Sequence, residues 1–458
     1  MLSSLAMPQV DCDFVAAHIN DDPARLRLSF CTRKGITPEE RQRLEQSILQ
    51  IECRRKYAPK FRSLLQSYPD FIFPSALAAE QASHYWVSRL HSYILSAYLP
   101  SILSTSSPPS PSSPSSPSSP APISIFDMTA GLGVDFICNA SAFGNAGAGA
   151  LAAEIDPIKA ATLRHNLDLC NLAQANVECG DSLSLLHSLP EAGISVIFAD
   201  PARRGESDRR LYDPTDCMPD VVGHWDELLS KGRLIMVKNS PMLDPSQVLR
   251  MFPGTVRLLV VSVRNECKEV LVLARRGGTL ESVETINIID GECIGDYSPD
   301  TRPEGVQWCV IPASEWHNDN CVPGYAESAE WMENILNHPT RPLYLYEPNA
   351  SLMKCAPWRW LTDQYPTLLK ASPNCHLFIS ATLYSDFPGR RLRITSLPGR
   401  RDLPKSGRFN IVSRNHPLAP EALARKMHLR MGGDRFLYAL TLGRAEQPTL
   451  LLADPADS

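Results

Sequence analysis

Residues 123 to 276 alternate short apolar runs with segments of helical periodicity, and this alternation constrains the fold more than any other feature. The first five apolar runs are ISIFDM, AGALAAEI, ANVEC, SVIFAD and RLIMVK. Between them lie amphipathic segments such as DPIKAATLRHNLDLC and VVGHWDELLS. A strand–helix–strand succession of this kind predicts a mainly parallel sheet with helices on both faces. We therefore expect an α/β fold in this region.

Two further apolar runs end this region, TVRLLVVSV and EVLVLARR, and only Arg264 to Lys268 separate them. A crossover helix does not fit in so short a connection, so the two strands are predicted to form an antiparallel hairpin. A doubly wound sheet that ends in such a hairpin resembles the Rossmann-like fold of class I methyltransferases. Dinucleotide-binding and P-loop folds do not need the hairpin.

The length of 458 residues favours several domains rather than one core. Residues 104–122 are almost wholly Ser and Pro, which predicts a disordered linker. Before it, TPEERQRLEQSILQIECRRKYAPKF and SALAAEQASHYWVSRLHSYILSAYL have helix-start signals and helical spacing. The N-terminal region is thus predicted to be all-helical, with Tyr85 and Trp86 in its core.

The composition bounds the class of protein. Apolar residues make up 43% of the chain and charged residues 21%, and no apolar run approaches the roughly 18 residues of a membrane span. The start of the chain lacks the pattern of a signal peptide, and the 13 cysteines form no CxxC pair. We expect a soluble cytoplasmic protein with reduced thiols, no membrane contact and no metal site.

The loop FDMTAGLGVD, residues 126–135, follows the first predicted strand and raises the question of its ligand. It has no Gly-Lys-Ser/Thr, so it lacks the lysine and hydroxyl with which a P-loop holds phosphate and magnesium. It also lacks the third glycine of GxGxxG at the spacing typical of dinucleotide sites. A lone GxG is weak evidence, so the ligand has to be inferred from residues further along the chain.

Three acids supply that evidence, because Asp127, Glu154 and Asp181 each stand at the end of one of the first three strands. In a parallel sheet these ends share one edge, so the carboxylates face one crevice. S-adenosylmethionine suits this layout: Glu154 accepts from the ribose hydroxyls, Asp181 from the adenine amine, and Asp127 favours the cationic methionine part. The predicted cofactor site comprises Asp127, Thr129, Gly131, Gly133, Asp135, Glu154, Asp156 and Asp181.

Alternatives to this interpretation remain open. A dinucleotide would account for Glu154, which lies about 20 residues past the glycines, but it leaves Asp181 and the hairpin unexplained. Each acid could instead cap a helix or lie in a solvated loop. Gly131 and Gly133 are expected to let the backbone approach the ligand where a Cβ would clash.

The fourth strand ends in FADPARRG, which resembles the Asp/Asn-Pro-Pro-aromatic motif of nucleic-acid methyltransferases. Asp200 and Pro201 match it, whereas Ala202 and Arg203 replace the second proline and the aromatic ring that would stack on a base. We predict Asp200, Pro201 and Arg203 as catalytic residues, with Asp200 as acceptor for an amine or as general base. Arg204 and Lys238 are predicted substrate contacts, although an arginine pair that bridges neighbouring acids and a surface Lys238 are the structural alternatives.

A cysteine nucleophile is the other mechanism to weigh. It needs a thiol at the fourth or fifth strand end, and neither DPAR nor VKNSP has one. Cys217 and Cys267 are the nearest candidates and are disfavoured.

Several motifs together indicate a family: DMTAGLGVD, DPARR, VKNSPML, VRNECKEVLVL, YEPNASLMKC and the tail FNIVSRNHPLAPEALARKMHLRMGGDRFLYAL. They resemble the THUMP-like-domain class I methyltransferases of Bacteroidetes and related bacteria, over residues from about 65 onward. The resemblance implies an N-terminal helical domain (1–103), the Ser/Pro linker (104–122), an S-adenosylmethionine-dependent methyltransferase domain (123–277), a ferredoxin-like middle region (278–387) and a THUMP-like domain (388–458). An RNA substrate follows only by analogy with THUMP domains.

The charge distribution supports RNA independently. Residues 388–435 contain twelve Lys and Arg against three acids, a net charge of +9, in a chain whose net charge is −5. Such segregation is typical of a phosphate-binding surface, although a basic face that packs on an acidic neighbour would have the same composition. Within it, HPLAPEALARKMHLRMGG predicts a helix ending at Gly432 with Arg425 and Lys426 opposite its apolar stripe.

Two functional classes therefore remain. The first is an RNA methyltransferase that modifies a base nitrogen of tRNA or rRNA. The second is an S-adenosylmethionine-dependent methyltransferase of a small molecule or protein, in which Arg203 and Arg204 bind a substrate carboxylate.

Overall fold

The computed structural model describes these residues: 7–105, 123–143, 149–172, 174–203, 217–292, 294, 303–316, 324–326, 329–338, 342–399, 402–404 and 406–456. The Ser/Pro linker lies outside them, except for its first two residues, and so do Arg204, Arg400, Arg401 and Lys405. Two compact units divide the chain. The first comprises Met1–Val263, Glu269–Leu280 and Ile288–Val306, and the second Arg264–Lys268, Glu281–Asn287 and Gln307–Ser458.

The N-terminal part of the first unit is helical, as predicted. Its elements are α1 (Cys12–His18), α2 (Pro23–Leu26), a π-helix (Arg27–Cys31), α3 (Pro38–Lys56), α4 (Ala58–Ser67), α5 (Ala76–Gln81) and α6 (Tyr85–Thr105). Helix α3 begins at a capping box in which the Thr37 hydroxyl accepts from the Glu40 N–H and the Glu40 carboxylate accepts from the Thr37 N–H. Trp86 is buried in α6 and Tyr85 is half-buried.

Strands and helices alternate in the rest of the first unit. They are β1 (Ile123–Asp127), α7 (Val134–Phe143), β2 (Gly149–Glu154), α8 (Pro157–Leu169), β3 (Ala175–Cys179), α9 (Ser182–Ser188), β4 (Ile194–Ala199), β5 (Ala202–Arg203), β6 (Cys217–Met218), α10 (Trp225–Lys231), β7 (Gly232–Asn239), α11 (Pro245–Met251), β8 (Thr255–Val263) and β9 (Glu266–Ala274). The seven long strands are consecutive in a sheet of nine strands, in the order β3-β2-β1-β4-β7-β9-β8.

This sheet has the predicted architecture. Strand β1 pairs in parallel with β2 and β4, and β4 pairs in parallel with β7, whereas β9 runs antiparallel to β7. The hairpin turn between β8 and β9 consists of Arg264 and Asn265, both with positive φ, which is the geometry of a tight two-residue hairpin loop. The Rossmann-like sheet with an antiparallel end is thus confirmed.

The central strands are buried on both faces, which explains their continuous apolar sequences. In β7 every residue from Leu234 to Val237 is fully buried, and β4 is buried except for one half-buried serine. Burying each such large apolar side chain adds about 1.5–3 kcal/mol to the free energy of unfolding, compared with leaving it exposed. The polar residues that follow these strands are consequently held on a rigid support.

The second unit contains β10 (Ser282–Ile288), β11 (Val306–Pro312), α12 (Ala329–Leu336), β12 (Leu343–Pro348), α13 (Ala350–Cys355), α14 (Trp358–Gln364), β13 (Leu369–Ser372), β14 (Cys375–Ser380), β15 (Gly389–Ser396), β16 (Arg408–Arg414), α15 (Pro420–Met427), β17 (Arg430–Leu442) and β18 (Gln447–Pro455). Seven strands form one sheet in the order β13-β14-β12-β15-β18-β17-β16. Strands on both sides of residue 388 therefore share a sheet.

The helix predicted to end at Gly432 ends earlier. Helix α15 stops at Met427, where His428 has a φ of 55° in the left-handed region, and Arg430 already begins β17. The last residues that the periodicity assigned to the helix instead form β17, which pairs with β16 and β18. The predicted orientation holds, since Leu423 and Met427 are buried while Arg425 and Lys426 are exposed.

Among the described residues, no helix combines the length and apolar character that a membrane crossing requires.

Candidate functional site

The candidate site lies at the carboxyl ends of the parallel strands. The chain runs from β1 through β2 to β3 on one side of the sheet and from β4 to β7 on the other, so the strand order reverses between β1 and β4. A crevice opens at such a switch point. Asp127 ends β1, Asp200 follows β4 and Glu154 ends β2, so these three predicted residues come to one edge.

The glycine loop between β1 and α7 has a specific need for each glycine. Gly131 has a φ of 56° and Gly133 one of 88°, a region that L-residues rarely adopt. A Cβ on Gly133 would overlap the Leu163 side chain of α8, so this glycine allows the loop and helix to pack. A Cβ on Gly131 would meet only the Thr129 carbonyl, at 3.8 Å. Gly131 therefore leaves the space beside the loop clear.

Glu154 ties this loop to β2. Its Oε2 accepts from the Gly131 N–H at 2.8 Å, and its Oε1 accepts from the Asp156 N–H at 2.8 Å. The residue is 8% exposed. Each carboxylate oxygen has a second lone pair, so Glu154 keeps the capacity to accept hydroxyl hydrogens from a ligand.

Asp156 and Asp181 both cap helices. The Asp156 carboxylate accepts from the backbone N–H of Ile158 and Lys159 at the start of α8. The exposed Asp181 accepts from the Ser184 N–H at 2.7 Å at the start of α9, and this bond lowers its pKa. In each of these two residues one carboxylate oxygen is used to cap the helix. Contact of Asp156 and Asp181 with a cofactor stays a prediction.

Asp127 is almost completely buried, with an exposed fraction of 1%. Burial raises the pKa of its carboxyl to about 8, although Oδ1 accepts from the Thr129 N–H at 2.8 Å. In the protein alone, Asp127 is consequently protonated at pH 7. A cation bound beside it would favour loss of that proton.

Thr129 links the ends of β1 and β4, because its hydroxyl oxygen accepts from the Asp200 backbone N–H at 2.7 Å. The Asp200 side chain is 40% exposed, so one side of its carboxylate faces solvent. Pro201 is half-buried next to it. Arg203 lies in β5 opposite Cys217 of β6, and Arg204 is outside the described residues.

Lys238 is next to Asp200 because of strand register. Ala199 of β4 pairs with Val237 of β7, so Asp200 and Lys238 are the residues that follow on two neighbouring parallel strands. The lysine Nζ lies 2.6 Å from Asp200 Oδ2, and only 8% of the side chain is exposed. The alternative of a surface Lys238 is therefore wrong.

Three further polar groups lie near Lys238, and His91 connects two of them. Its Nζ donates to the Ser83 hydroxyl at 2.6 Å and lies 3.5 Å from Asp135 Oδ2 and 3.8 Å from Glu269 Oε2. His91 of α6 is fully buried between the two acids, with Nδ1 2.8 Å from Asp135 and Nε2 2.5 Å from Glu269. We call these residues the charge cluster: Ser83, His91, Asp135, Asp200, Lys238 and Glu269.

Three members of the charge cluster, Ser83, His91 and Glu269, are not among the site residues predicted from the sequence. The available signal was weak: His91 interrupts the apolar stripe of α6, and Asp135 follows the glycine loop within the buried face of α7. No local pattern connects His91 with Glu269, which is 178 residues away along the chain.

The basic segment of the second unit divides into two groups. Arg390 and Arg414 pair with the buried Glu347 at 2.6 and 2.7 Å, and Arg435 pairs with Asp454 at 2.7 Å. Packing therefore explains these three, as the alternative interpretation allowed. Four other exposed cations lie on α15, β16 and β17, namely Arg408, Arg425, Lys426 and Arg430, and Arg408 lies directly opposite Arg430 where β16 pairs with β17. We call this group the basic surface.

Comparisons with known proteins agree with these observations. Residues 344–388 match a family described as a ferredoxin-like domain, and residues 398–455 match one described as THUMP domain-like. Over 176 residues the chain is 32% identical to "Uncharacterized S-adenosylmethionine-dependent methyltransferase" proteins of two Mycobacterium tuberculosis strains. That alignment covers 36% of this chain and 44% of theirs, so this chain spans less than half the length of these relatives.

A solved structure is similar over nearly the whole chain. The crystal structure of a "putative methyltransferase" from Porphyromonas gingivalis W83 is 25% identical, with a TM-score of 0.71 and 97% of each chain covered. The fold of the first unit is thus that of the class I methyltransferases, and the similar proteins are named as methyltransferases. The chain carries C-terminal segments that match ferredoxin-like and THUMP domain-like families, and the resemblance indicated by its motifs is confirmed.

Proposed function

We propose that this protein transfers the methyl group of S-adenosylmethionine to a base nitrogen of tRNA or rRNA, and that its THUMP-like domain binds the RNA. The observation that carries the proposal is the placement of Asp200. Its carboxylate is held at the crevice by Lys238 and its backbone by Thr129, beside the glycine loop and the acid that ends β2.

The residues of the crevice fit the cofactor. Gly131 leaves space beside the loop, and Glu154 retains lone pairs for two ribose hydroxyls at the end of β2. Asp181 is exposed at the start of α9, where it can accept from an adenine amine. Asp127 would lie near the cationic part of the cofactor and become ionised on binding. When bound, the cofactor supplies an electrophilic methyl group on a sulfonium.

The acceptor side of the reaction is assigned to Asp200. A carboxylate only accepts hydrogen bonds, so it orients an N–H of the acceptor and receives the proton that the nitrogen loses as its bond to the methyl carbon forms. Asp200 then returns this proton to water through its exposed side. Most of the rate enhancement comes from alignment, because the methyl donor is already activated.

The basic surface supports RNA as the substrate. Four cationic side chains project from α15, β16 and β17 within the segment that matches the THUMP domain-like family. Guanidinium and ammonium groups in such a cluster neutralise phosphates and release counterions, and RNA affinity then falls steeply with salt. The internal pairing of Arg390, Arg414 and Arg435 favours the second candidate, a small-molecule or protein methyltransferase whose basic residues serve packing.

The test uses purified protein and methyl-labelled S-adenosylmethionine. It is incubated with total RNA from a host strain that lacks the gene, with wild-type RNA, with a protein extract and with a metabolite pool. The Asp200→Ala variant serves as the control. Label confined to deletion-strain RNA and absent with Asp200→Ala supports the proposal. Label in the protein or metabolite pool instead contradicts the RNA assignment and favours the second candidate.

A further inference from the structure

The charge cluster joins the N-terminal helices to the crevice of the sheet. Ser83 precedes α6 and His91 lies within it, and Asp135 is in the first turn of α7. Lys238 is the penultimate residue of β7, and Glu269 is in β9. All five are buried or half-buried, and Lys238 connects them to Asp200, whose side chain is 40% exposed. A helical region with no chemistry visible in its sequence thus reaches the residue to which we assign the acceptor.

Lys238 has a fixed set of partners for its three N–H hydrogens. Two go to Asp200 Oδ2 and Ser83 Oγ, both at 2.6 Å, and the third faces the carboxylates of Asp135 and Glu269 at 3.5 and 3.8 Å. Burial opposes the charge of this lysine, but Asp200, Asp135 and Glu269 outweigh burial and raise its pKa. A lysine that stays protonated is neither a base nor a nucleophile.

His91 holds the two acids that face Lys238. Its ring nitrogens lie 2.8 Å from Asp135 and 2.5 Å from Glu269, and an imidazole donates from both nitrogens only when it is protonated. Burial disfavours that charge, while the two carboxylates raise the pKa of His91 to about 9. Ser83 also donates to Asp135. The acids are therefore fixed in place and cannot turn away from the lysine.

We propose that Lys238 is the positioning residue for methyl transfer, and that His91 and Ser83 of the N-terminal helices hold it in place. This inference rests on the proposed role of Asp200. Lys238 occupies one oxygen of Asp200, so the other is left to face the acceptor. The helical region is then a part of the reaction centre rather than an appendage.

The charge balance of the cluster also specifies the chemistry of the acceptor. Two cations, His91 and Lys238, face three carboxylates, those of Asp135, Asp200 and Glu269. The cluster then carries one more carboxylate than cations, and Asp200 is the carboxylate of the cluster that reaches the crevice. A carboxylate acceptor would be repelled there, whereas an uncharged amine or ring nitrogen that carries hydrogen is favoured.

The experiment compares Lys238→Met, Lys238→Arg and His91→Gln in the full-length protein, with Lys268→Met as a matched control. Lys268 is another lysine near the end of the sheet, but it is partly exposed and pairs with the exposed Glu266. Cofactor affinity is measured by calorimetry with S-adenosylmethionine alone. The values of kcat and KM are then measured with whichever pool the wild-type protein labels.

We expect Lys238→Met to lower kcat about 100-fold while the cofactor Kd changes by less than about threefold, as loss of alignment without loss of binding requires. Lys238→Arg should recover at least about a tenth of the wild-type kcat because it keeps the charge. His91→Gln should lower kcat about tenfold. Lys268→Met should match the wild type. A folded, cofactor-binding Lys238→Met variant with wild-type kcat overturns the proposal.

A second variant covers the case in which Lys238→Met does not fold. Lys238→Met is combined with Asp200→Asn. The double variant loses both charges of the Lys238–Asp200 ion pair, so Asp200 does not remain as a carboxylate without its lysine partner. If the lysine acts through Asp200, adding Lys238→Met to Asp200→Asn changes kcat by less than about twofold. A further loss of about 100-fold overturns the proposal. Label in a pool other than RNA refutes the RNA function alone, and no label in any pool refutes both.

Discussion

The two units of the protein each bury an acid against cations, and the contrast between these two arrangements separates structure from function. In the second unit, Glu347 is 2% exposed and both of its oxygens are occupied, by Arg390 and Tyr438 on one and by Arg414 on the other. In the first unit, the charge cluster leaves Asp200 40% exposed at a crevice.

The difference teaches how to distinguish a structural ion pair from a reactive one. Arginine is charged at every accessible pH, and Glu347 is buried with both oxygens occupied, so this acid has no side that faces a crevice. The charge cluster instead uses a histidine and a lysine and ends in an acid that still has room for a partner. Of these two arrangements, only the charge cluster leaves an acid open to a crevice, and it is the one to which we assign the proposed reaction.

The largest expected effect, and so the strongest test of the difference between the two arrangements, comes from neutralising Asp200. Asp200→Asn should lower the methyl-transfer rate about 1000-fold, because the amide cannot take the proton of the acceptor. Thermal unfolding should shift little, since the side chain is partly exposed. The measurement is the initial rate with labelled cofactor beside a melting curve. A rate within tenfold of the wild type would remove Asp200 from the reaction.

The opposite outcome is expected for Glu347. Glu347→Gln leaves Arg390 and Arg414 without their shared acid and should destabilise the second unit by about 2–3 kcal/mol, measured by urea unfolding. The rate of methyl transfer in the folded fraction should be unchanged. The control is Asp454→Asn, whose exposed pair with Arg435 should contribute less than about 1 kcal/mol. Equal effects of the two variants would contradict the structural role of Glu347.

Cofactor binding should depend on pH through Asp127. The pKa of this buried acid is raised to about 8, and a bound cation favours its ionised form, so binding releases a proton below that pH. The Kd for S-adenosylmethionine should therefore fall up to about tenfold per pH unit between pH 6 and 8 and then level off. Calorimetry in buffers of different ionisation enthalpy checks the proton release. In Asp127→Asn this pH dependence should vanish.

The smallest expected effect concerns the basic surface. Replacing Arg425 and Lys426 together by alanine should weaken RNA binding about tenfold, with kcat unchanged. The slope of log affinity against log salt concentration should fall by about the amount that two phosphate contacts contribute. Filter binding of total RNA across a salt series gives both values. Replacement of the exposed Arg41 and Arg62 in the N-terminal helices is the control. An unchanged salt slope would show that these two side chains do not contact phosphate.

Much of the fold follows from short stretches of sequence. The five apolar runs and the hairpin predict the sheet, because strand and helix periodicities are local properties. The acids Asp127 and Glu154 could be assigned to one edge since parallel strands end on the same side. Asp156 and Asp181 show the limit of this logic, because a helix cap and a ligand contact have the same local sequence.

Tertiary structure decided the rest. Helix α15 ends at Met427 because the residues from Arg430 onward pair with β16 and β18 as strand β17. The residues near Gly432 in the sequence give no sign of these strand partners. Lys238 is buried because the register of β4 and β7 brings it beside Asp200. His91, Asp135 and Glu269 come from three separate parts of the chain.

The sequence by itself thus determined the α/β class, the domain order and the residues at the strand ends, all of which depend on contacts between near neighbours in the chain. The charge cluster and the division of the basic segment into paired and exposed arginines depend on which distant side chains meet. Electrostatic interactions act over a few ångströms whatever the separation in sequence. For this reason the partners of Lys238, His91 and Glu347 became known only from the folded chain.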